Sequence, residues 1–159
     1  MSLTEGAERI RDVPNAGGNS VLSEVLSFEL MNKCFAAKLL KTEMEVSYFP
    51  TGGSITDYMC EVFGQRLGVS VTRAMKYKGD YCEEDALHLL CKKLKGIVQS
   101  SRNTLENWKK QILHVWATDK HVARIIENAY EQVPEDLRGN TMVLVTTATE
   151  SKFIFLNAT

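Results

Sequence analysis

The sequence predicts an α/β (α+β) domain built on a mixed β-sheet. Helical and strand-like hydrophobic patterns alternate along the 159 residues. The early strand-like segments are joined by short turns, whereas the later ones are separated by helices. Apolar residues make up 44% and charged residues 25% of the chain, as in ordinary globular domains. We expect a flexible N-terminal arm over residues 1–18 and a single folded domain over residues 19–159.

The first half of the chain predicts one helix followed by three strands. Apolar residues recur at three- and four-residue steps after Asn19, which predicts an amphipathic helix that ends near Lys41. Alternating apolar residues then predict strands near 44–50, 54–63 and 68–77, with turns at "TGGS" and "GQRLG". Because connections this short join antiparallel neighbours, we expect an antiparallel meander.

The second half predicts two further helices and three strands. A helix over 83–101 precedes a strand over 111–117, and a right-handed crossover should make that strand parallel to the third one. The next helix begins after Thr118 or Asp119 and stops before Pro134. "TMVLVTTA" and "KFIFLN" should then pair as a hairpin across "TES". The predicted order is an α-β-β-β-α-β core with a C-terminal α-β-β extension.

This element order resembles that of the PD-(D/E)XK, or restriction-endonuclease-like, superfamily over roughly residues 19–118. The motif spacing adds to the resemblance. In that family an acidic residue on the second strand precedes a (D/E)xK triplet on the third strand. Here Asp57 takes the first position, and the triplet aligns with Ser70, Val71 and Thr72. The resemblance therefore implies a nuclease-like fold whose active-site motif is degenerate at Asp57, Ser70 and Thr72.

The missing acid and lysine decide what chemistry we expect. In an active member, two carboxylates hold Mg²⁺, and the lysine helps to orient water. Neutral hydroxyls at positions 70 and 72 supply neither charge nor a base. We therefore expect a non-catalytic binding or interaction domain without a cofactor, with Asp57 bonded to backbone N–H groups. The alternative is a Mg²⁺-dependent nuclease with a displaced site made of Asp57, Lys76, and Glu24 or Glu29.

Basic side chains are concentrated in the middle of a chain whose net charge is −1. Residues 66–110 carry 10 basic and 5 acidic side chains. They could form a phosphate-binding patch that binds nucleic acid weakly and without sequence preference. A solvated helix surface is the other interpretation. The residues of this predicted patch are Lys92, Lys93, Lys95, Arg102, Lys109 and Lys110.

Other features narrow the setting in which the domain works. The four cysteines show no CxxC spacing, so we expect free core thiols and a reducing compartment, the cytoplasm or the nucleus. No apolar run is long enough to span a membrane. An open sheet edge near the C-terminal strands would suit a protein partner or self-association.

Overall fold

The computed structural model describes residues 3–12, 21–42, 56–76, 78–103 and 110–148. The helices in these ranges are α1 (Glu5–Asp12), α2 (Val21–Phe35), α3 (Glu83–Asn103), α4 (Lys120–Tyr130) and α5 (Glu135–Arg138). The strands are β1 (Lys38–Thr42), β2 (Tyr58–Val62), β3 (Gln65–Ala74), β4 (Lys110–Ala117) and β5 (Thr141–Thr147). None of the helices in this described part combines the length and apolar character needed to cross a membrane.

The five strands form one mixed sheet in the order β1-β2-β3-β4-β5. β1, β2 and β3 are antiparallel neighbours, whereas β4 runs parallel to β3 and β5 runs parallel to β4. The register places Tyr58 opposite Val69 and Val69 opposite Ile112. The predicted α/β class, the antiparallel pairing of the second and third predicted strands, and the parallel β3–β4 pair are therefore confirmed.

Helices cover both faces of this sheet, because alternate strand residues point to opposite sides. On one face, Phe28 and Met31 of α2 pack in a core with Val69 of β3. On the other face, Leu90 and Leu94 of α3 pack in a core that includes side chains of β4 and α4. The faces are called the α2 face and the α3 face below.

The predicted first helix ends too late. α2 stops at Phe35 instead of near Lys41, and β1 begins at Lys38. Ala36 has a positive φ of 54°, and the Asn32 side chain donates a 3.0 Å hydrogen bond to the Ala37 carbonyl. "KLLKT" suits a helix locally, but pairing with β2 makes it a strand. The strand predicted over 44–50 and the "TGGS" turn lie outside the described residues.

The turn between β2 and β3 is also shorter than predicted. It consists of Phe63 and Gly64, with φ values of 50° and 76°, and β3 begins at Gln65. Two consecutive positive φ angles are typical of tight hairpin turns. Phenylalanine is an unusual residue at such a position, which is why "GQRLG" was the stronger sequence signal. The predicted third strand is displaced as a result and ends at Ala74 rather than at position 77.

The N-terminal segment contains a helix where a flexible arm was expected. Residues 5–12 of the expected flexible arm form α1, which buries Ala7 and Ile10 against the α2 face. α4 begins as predicted, since the Asp119 carboxylate accepts a 2.8 Å hydrogen bond from the Val122 N–H. The strand predicted at "KFIFLN" lies outside the described residues.

The cysteines are free thiols, as predicted, but only one of them is a fully buried core residue. All four lie in the described part of the chain, and none forms a disulfide there. Cys60 is buried, Cys91 is half-buried, and Cys34 and Cys82 are exposed. The prediction of core thiols is therefore wrong for Cys34 and Cys82, which lie on outward-facing positions next to helix ends.

A buried hydrogen-bond network fixes α2 on the sheet. The Ser27 hydroxyl lies 2.6 Å from Nδ1 of His114 on β4 and 2.9 Å from the Tyr58 hydroxyl on β2. His114 Nε2 lies 3.0 Å from the Thr146 hydroxyl on β5. Ser27, Tyr58 and His114 are fully buried, and burial lowers the pKa of His114 to about 4. The Ser27 hydroxyl and the neutral imidazole of His114 together therefore link one helix to three strands.

We predict that Gly6→Ala destabilises the protein, although alanine is the better helix former. A Cβ at position 6 would overlap the Phe28 ring and lie 3.1 Å from Leu39 Cβ. The ring cannot move away easily, because it is buried and packs edge-on against Tyr58. Overpacking should lower the free energy of unfolding by about 1–3 kcal/mol in urea titrations. The exposed substitution Glu8→Ala on α1 is the control, and a Gly6→Ala variant as stable as wild type would show that α1 does not pack here.

We also predict that His114 makes stability depend on pH. Since the pKa of His114 is about 4 in the folded protein and about 6.5 when unfolded, unfolding takes up a proton between these values. This contribution to stability is therefore complete above pH 6.5, falls as the pH drops towards 4, and amounts to about 3 kcal/mol. Urea titrations across this range should show a shallower pH dependence for His114→Asn than for wild type. Parallel curves would contradict the prediction.

Candidate functional site

Two acidic side chains from distant parts of the sequence meet at the edge of the α2 face. Glu24 lies in the first turn of α2 and is buried. Asp57 directly precedes β2 and is half-buried. The two carboxyl groups are joined by a hydrogen bond, which requires a proton on one of them. The structure therefore brings together one pair from the displaced site that the sequence suggested.

The backbone of β3 holds Asp57 in place. The Val71 N–H donates a 2.6 Å hydrogen bond to Asp57 Oδ2, and the Asp57 N–H donates a 3.0 Å hydrogen bond to the Val69 carbonyl. These bonds extend the antiparallel pairing of β2 and β3 by one residue beyond Tyr58. The carboxylate thus has a fixed position, as we expected for an aspartate bonded to backbone N–H groups.

Burial raises the pKa of Asp57 above its ordinary value. Three weaker effects act in the opposite direction: the hydrogen bond with Glu24, the hydrogen bond from the Val71 N–H, and the positive charge of Lys93. A negative charge on Asp57 is therefore unfavourable without further compensation. A positively charged ligand that binds beside Asp57 would offset this cost and stabilise the folded protein.

Lys93 lies on a third element, α3, and its positive charge lowers the pKa of Asp57. The buried stripe of that helix includes Leu90 and Leu94, and Lys93 lies at its margin and is half-buried. Lys92 and Lys95 are exposed, because each helical residue is rotated by about 100° from the one before it. Lys93 was predicted only as part of the basic patch. The sequence signal that distinguished Lys93 from Lys92 and Lys95 was its position beside the apolar stripe of α3.

Ser70 and Thr72 lie next to Asp57 along β3. They flank Val71, whose N–H binds the Asp57 carboxylate. They alternate with Val69 and Val71 of the α2 face, so they belong to the α3 face. Ser70 is half-buried, and Thr72 is buried. Asp57 therefore contacts the β3 backbone at Val71, between the two motif positions, whereas the motif itself stays a prediction.

The other two members of the displaced site lie elsewhere. Glu29 holds α1, since it accepts a hydrogen bond from the Thr4 N–H and pairs with Lys33 at 3.7 Å. Burial acts to raise the pKa of Glu29, but these contacts lower it overall. Lys76 is exposed and pairs with Asp85 at 3.3 Å. The described contacts of Glu29 and Lys76 are thus with residues other than Asp57.

The predicted basic patch does not form one surface among the described residues. Lys92 and Lys95 are exposed on α3. Lys110 begins β4 and lines a groove on the α2 face, next to Ile112. The Arg102 side chain and Lys109 lie outside what the structure describes. Binding of nucleic acid by these residues stays a prediction, with the described lysines divided between the two sides of the sheet.

The donor set of the site suits one class of metal ion. Among the described residues, no cluster of three or more His, Cys, Asp and Glu side chains could hold a metal. This excludes a structural zinc site within that part of the chain. Mg²⁺ typically uses one or two protein carboxylates and completes its shell with water and substrate phosphate. Glu24 and Asp57 fit that smaller requirement.

Known proteins that resemble this chain include a sequence relative and a solved structure. No protein-family model matches the chain. The AAC-rich mRNA clone AAC4 protein of Dictyostelium discoideum is 47% identical over 161 residues, covering 96% of this chain. The chain spans 24% of that relative's length. Among solved structures, Pyrococcus furiosus SfsA in complex with Ca²⁺ matches 80% of this chain and 55% of its own, with 13% identity and a TM-score of 0.36.

Proposed function

We propose that this domain is a divalent-metal-dependent nuclease with a displaced active site. Glu24 and Asp57 would hold the metal, and Lys93 would take the place of the missing strand lysine. The observation that carries the proposal is the contact between the Glu24 and Asp57 carboxyl groups within reach of the Lys93 charge. These three residues come from α2, the start of β2 and α3, so only the folded chain assembles them.

A structural role explains this cluster poorly. A buried ionisable pair usually contributes little to stability, and apolar residues of similar volume often stabilise a protein more. Burial raises the pKa of Asp57, and the Val71 N–H accounts for one carboxylate but not for the Glu24 carboxyl group beside it. Functional sites often contain titratable groups whose pKa is shifted by burial and by specific charged neighbours.

The residues of the site have distinct roles in this proposal. A bound divalent cation would polarise a substrate phosphate and lower the pKa of water. The Val71 N–H keeps the Asp57 carboxylate in position, and the Lys93 ammonium would bind a phosphate oxygen and offset its negative charge. The Ser70 and Thr72 side chains lie on the α3 face and have no assigned role in this proposal. The substrate class is nucleic acid, DNA or RNA.

The second candidate is a non-catalytic binding domain, and Ser70 and Thr72 favour it. Neither hydroxyl group can replace a carboxylate ligand or accept a proton near neutral pH. In this case the same fold binds a protein or nucleic acid without cleaving it, and no cofactor is needed. For either candidate we infer a reducing compartment, the cytoplasm or the nucleus, since the exposed Cys34 and Cys82 are free thiols.

We predict metal-dependent cleavage of nucleic acid by the purified protein. Labelled DNA and RNA should be cut with Mg²⁺ or Mn²⁺, and Asp57→Asn, Glu24→Gln or Lys93→Met should each lower the rate about 100-fold or more. Lys92→Met is the matched control, because its side chain is on the exposed side of α3. Its rate should stay near that of wild type.

Two outcomes would count against the nuclease. Absence of cleavage by folded wild-type protein would leave the non-catalytic domain as the function. Cleavage that persists in Asp57→Asn would point to a contaminating enzyme or to a different site. Circular dichroism of each variant would show whether a lost rate reflects lost chemistry or lost structure.

We further predict that Mg²⁺ stabilises the wild-type protein. A ligand at about 100 times its Kd adds about 2.7 kcal/mol to stability, which corresponds to a rise in Tm of roughly 5–10 °C for a chain of this size. Thermal melts with and without millimolar Mg²⁺ measure this difference. Asp57→Asn should abolish it, even if that variant starts from a higher Tm because a buried charge is gone. An equal Mg²⁺ effect in both proteins would remove Asp57 from the metal site.

A further inference from the structure

A second feature of the molecule lies at the hairpin end of the sheet. In the described ranges, three large hydrophobic side chains are exposed: Phe63 at 85%, Met142 at 52% and Phe35 at 37%. All three line a single groove of about 450 Å³. Isolated exposed hydrophobic residues are normal on protein surfaces, whereas their concentration in one concave patch is typical of interaction sites.

The groove crosses the sheet instead of following one of its edges. Its walls come from the end of α2, the β2–β3 turn and the start of β5, and its floor includes Leu67 and Ile112. These floor residues are on neighbouring strands, β3 and β4, that already bond to each other. The floor of the groove therefore offers side-chain surface of paired strands, which suits an inserted helix better than an added strand.

The charge of the groove limits the kind of helix that fits. Lys110 is the charged residue among those that line it, and Gln65 is the other polar one. Neither an aspartate nor a glutamate is among the lining residues of this described surface. A single-stranded nucleic acid would require a continuous basic track with stacking aromatic residues, whereas this floor is aliphatic. Charge complementarity thus favours an apolar partner with an acidic residue opposite Lys110.

We propose that this groove binds an amphipathic helix of a partner protein. Apolar side chains of that helix would cover Phe63, Met142 and Phe35, and an acidic side chain beside them would pair with Lys110. The surface does not involve Glu24, Asp57 or Lys93, so this proposal is independent of the proposed nuclease activity. It assigns the domain a binding role at the hairpin end of the sheet in addition to the chemistry of the carboxyl pair.

Two synthetic peptides test the proposal on the intact chain. Each is an amphipathic helix about five turns long with leucine at i, i+3, i+4 and i+7 steps, and the polar face carries glutamate in one peptide and lysine in the other. We expect the acidic peptide to shift the backbone amide NMR signals of Phe63, Lys110 and Met142. The basic peptide should bind at least about tenfold more weakly. Met142→Glu and Phe63→Ser should each weaken acidic-peptide binding about tenfold or more.

Charge reversal supplies the matched controls. Lys110→Glu should reverse the preference between the two peptides, whereas Lys95→Glu, on exposed α3, should leave it unchanged. Equal binding of both peptides, shifts that map to another surface, or no binding would overturn the proposal. Signal shifts that depend on protein concentration without peptide would assign the groove to a second copy of the chain. Displacement of the bound peptide by an oligonucleotide would assign it to nucleic acid, and both results overturn the helix assignment.

Discussion

The hydrogen bonds between Ser27 of α2 and the side chains of Tyr58 and His114 determine how the rest of the domain is arranged. The Ser27 hydroxyl lies 2.9 Å from the Tyr58 hydroxyl on β2 and 2.6 Å from His114 Nδ1 on β4. These two contacts fix the rotation and height of α2 above the sheet. Glu24 lies one turn before Ser27, and Asp57 directly precedes Tyr58. Because the hydroxyl pair and the carboxyl pair join the same two elements, the first holds the second in register. A buried network of this kind favours one packing arrangement over others.

The candidate site combines features that oppose one another in the folded protein. Burial makes the charge on Asp57 unfavourable, while the Val71 N–H, the Glu24 carboxyl group and the Lys93 charge favour it. Several groups together thus hold a carboxylate where it would not remain by itself. In the proposed nuclease, Ser70 and Thr72 supply no charge, so Lys93 and a cation would have to offset the charge of a phosphate.

The groove and the carboxyl pair lie at opposite ends of β2. Asp57 precedes the strand and Phe63 follows it, and six residues of extended chain separate two positions by about 20 Å. One end therefore presents the carboxyl pair, and the other presents the exposed apolar side chains of the groove. Since the sheet between them is rigidly paired on both sides of β2, ligands of both kinds can bind to one molecule without competing for the same residues.

Hydrophobic periodicity alone determined the α/β class, α3, α4 and the parallel position of β4 beside β3, because these features depend on local patterns and short connections. The motif resemblance pointed to Asp57, and to Glu24 or Glu29 without deciding between them. Only the tertiary structure decided that "KLLKT" is a strand, that Phe63 forms a turn, and that Lys76 pairs with Asp85 while the charge of Lys93 acts on Asp57. Each of these results depends on a partner far away in the sequence. Pairing with β2 outweighs the helix propensity of residues 38–42, and the packing of α3 on the sheet decides which of its lysines is half-buried.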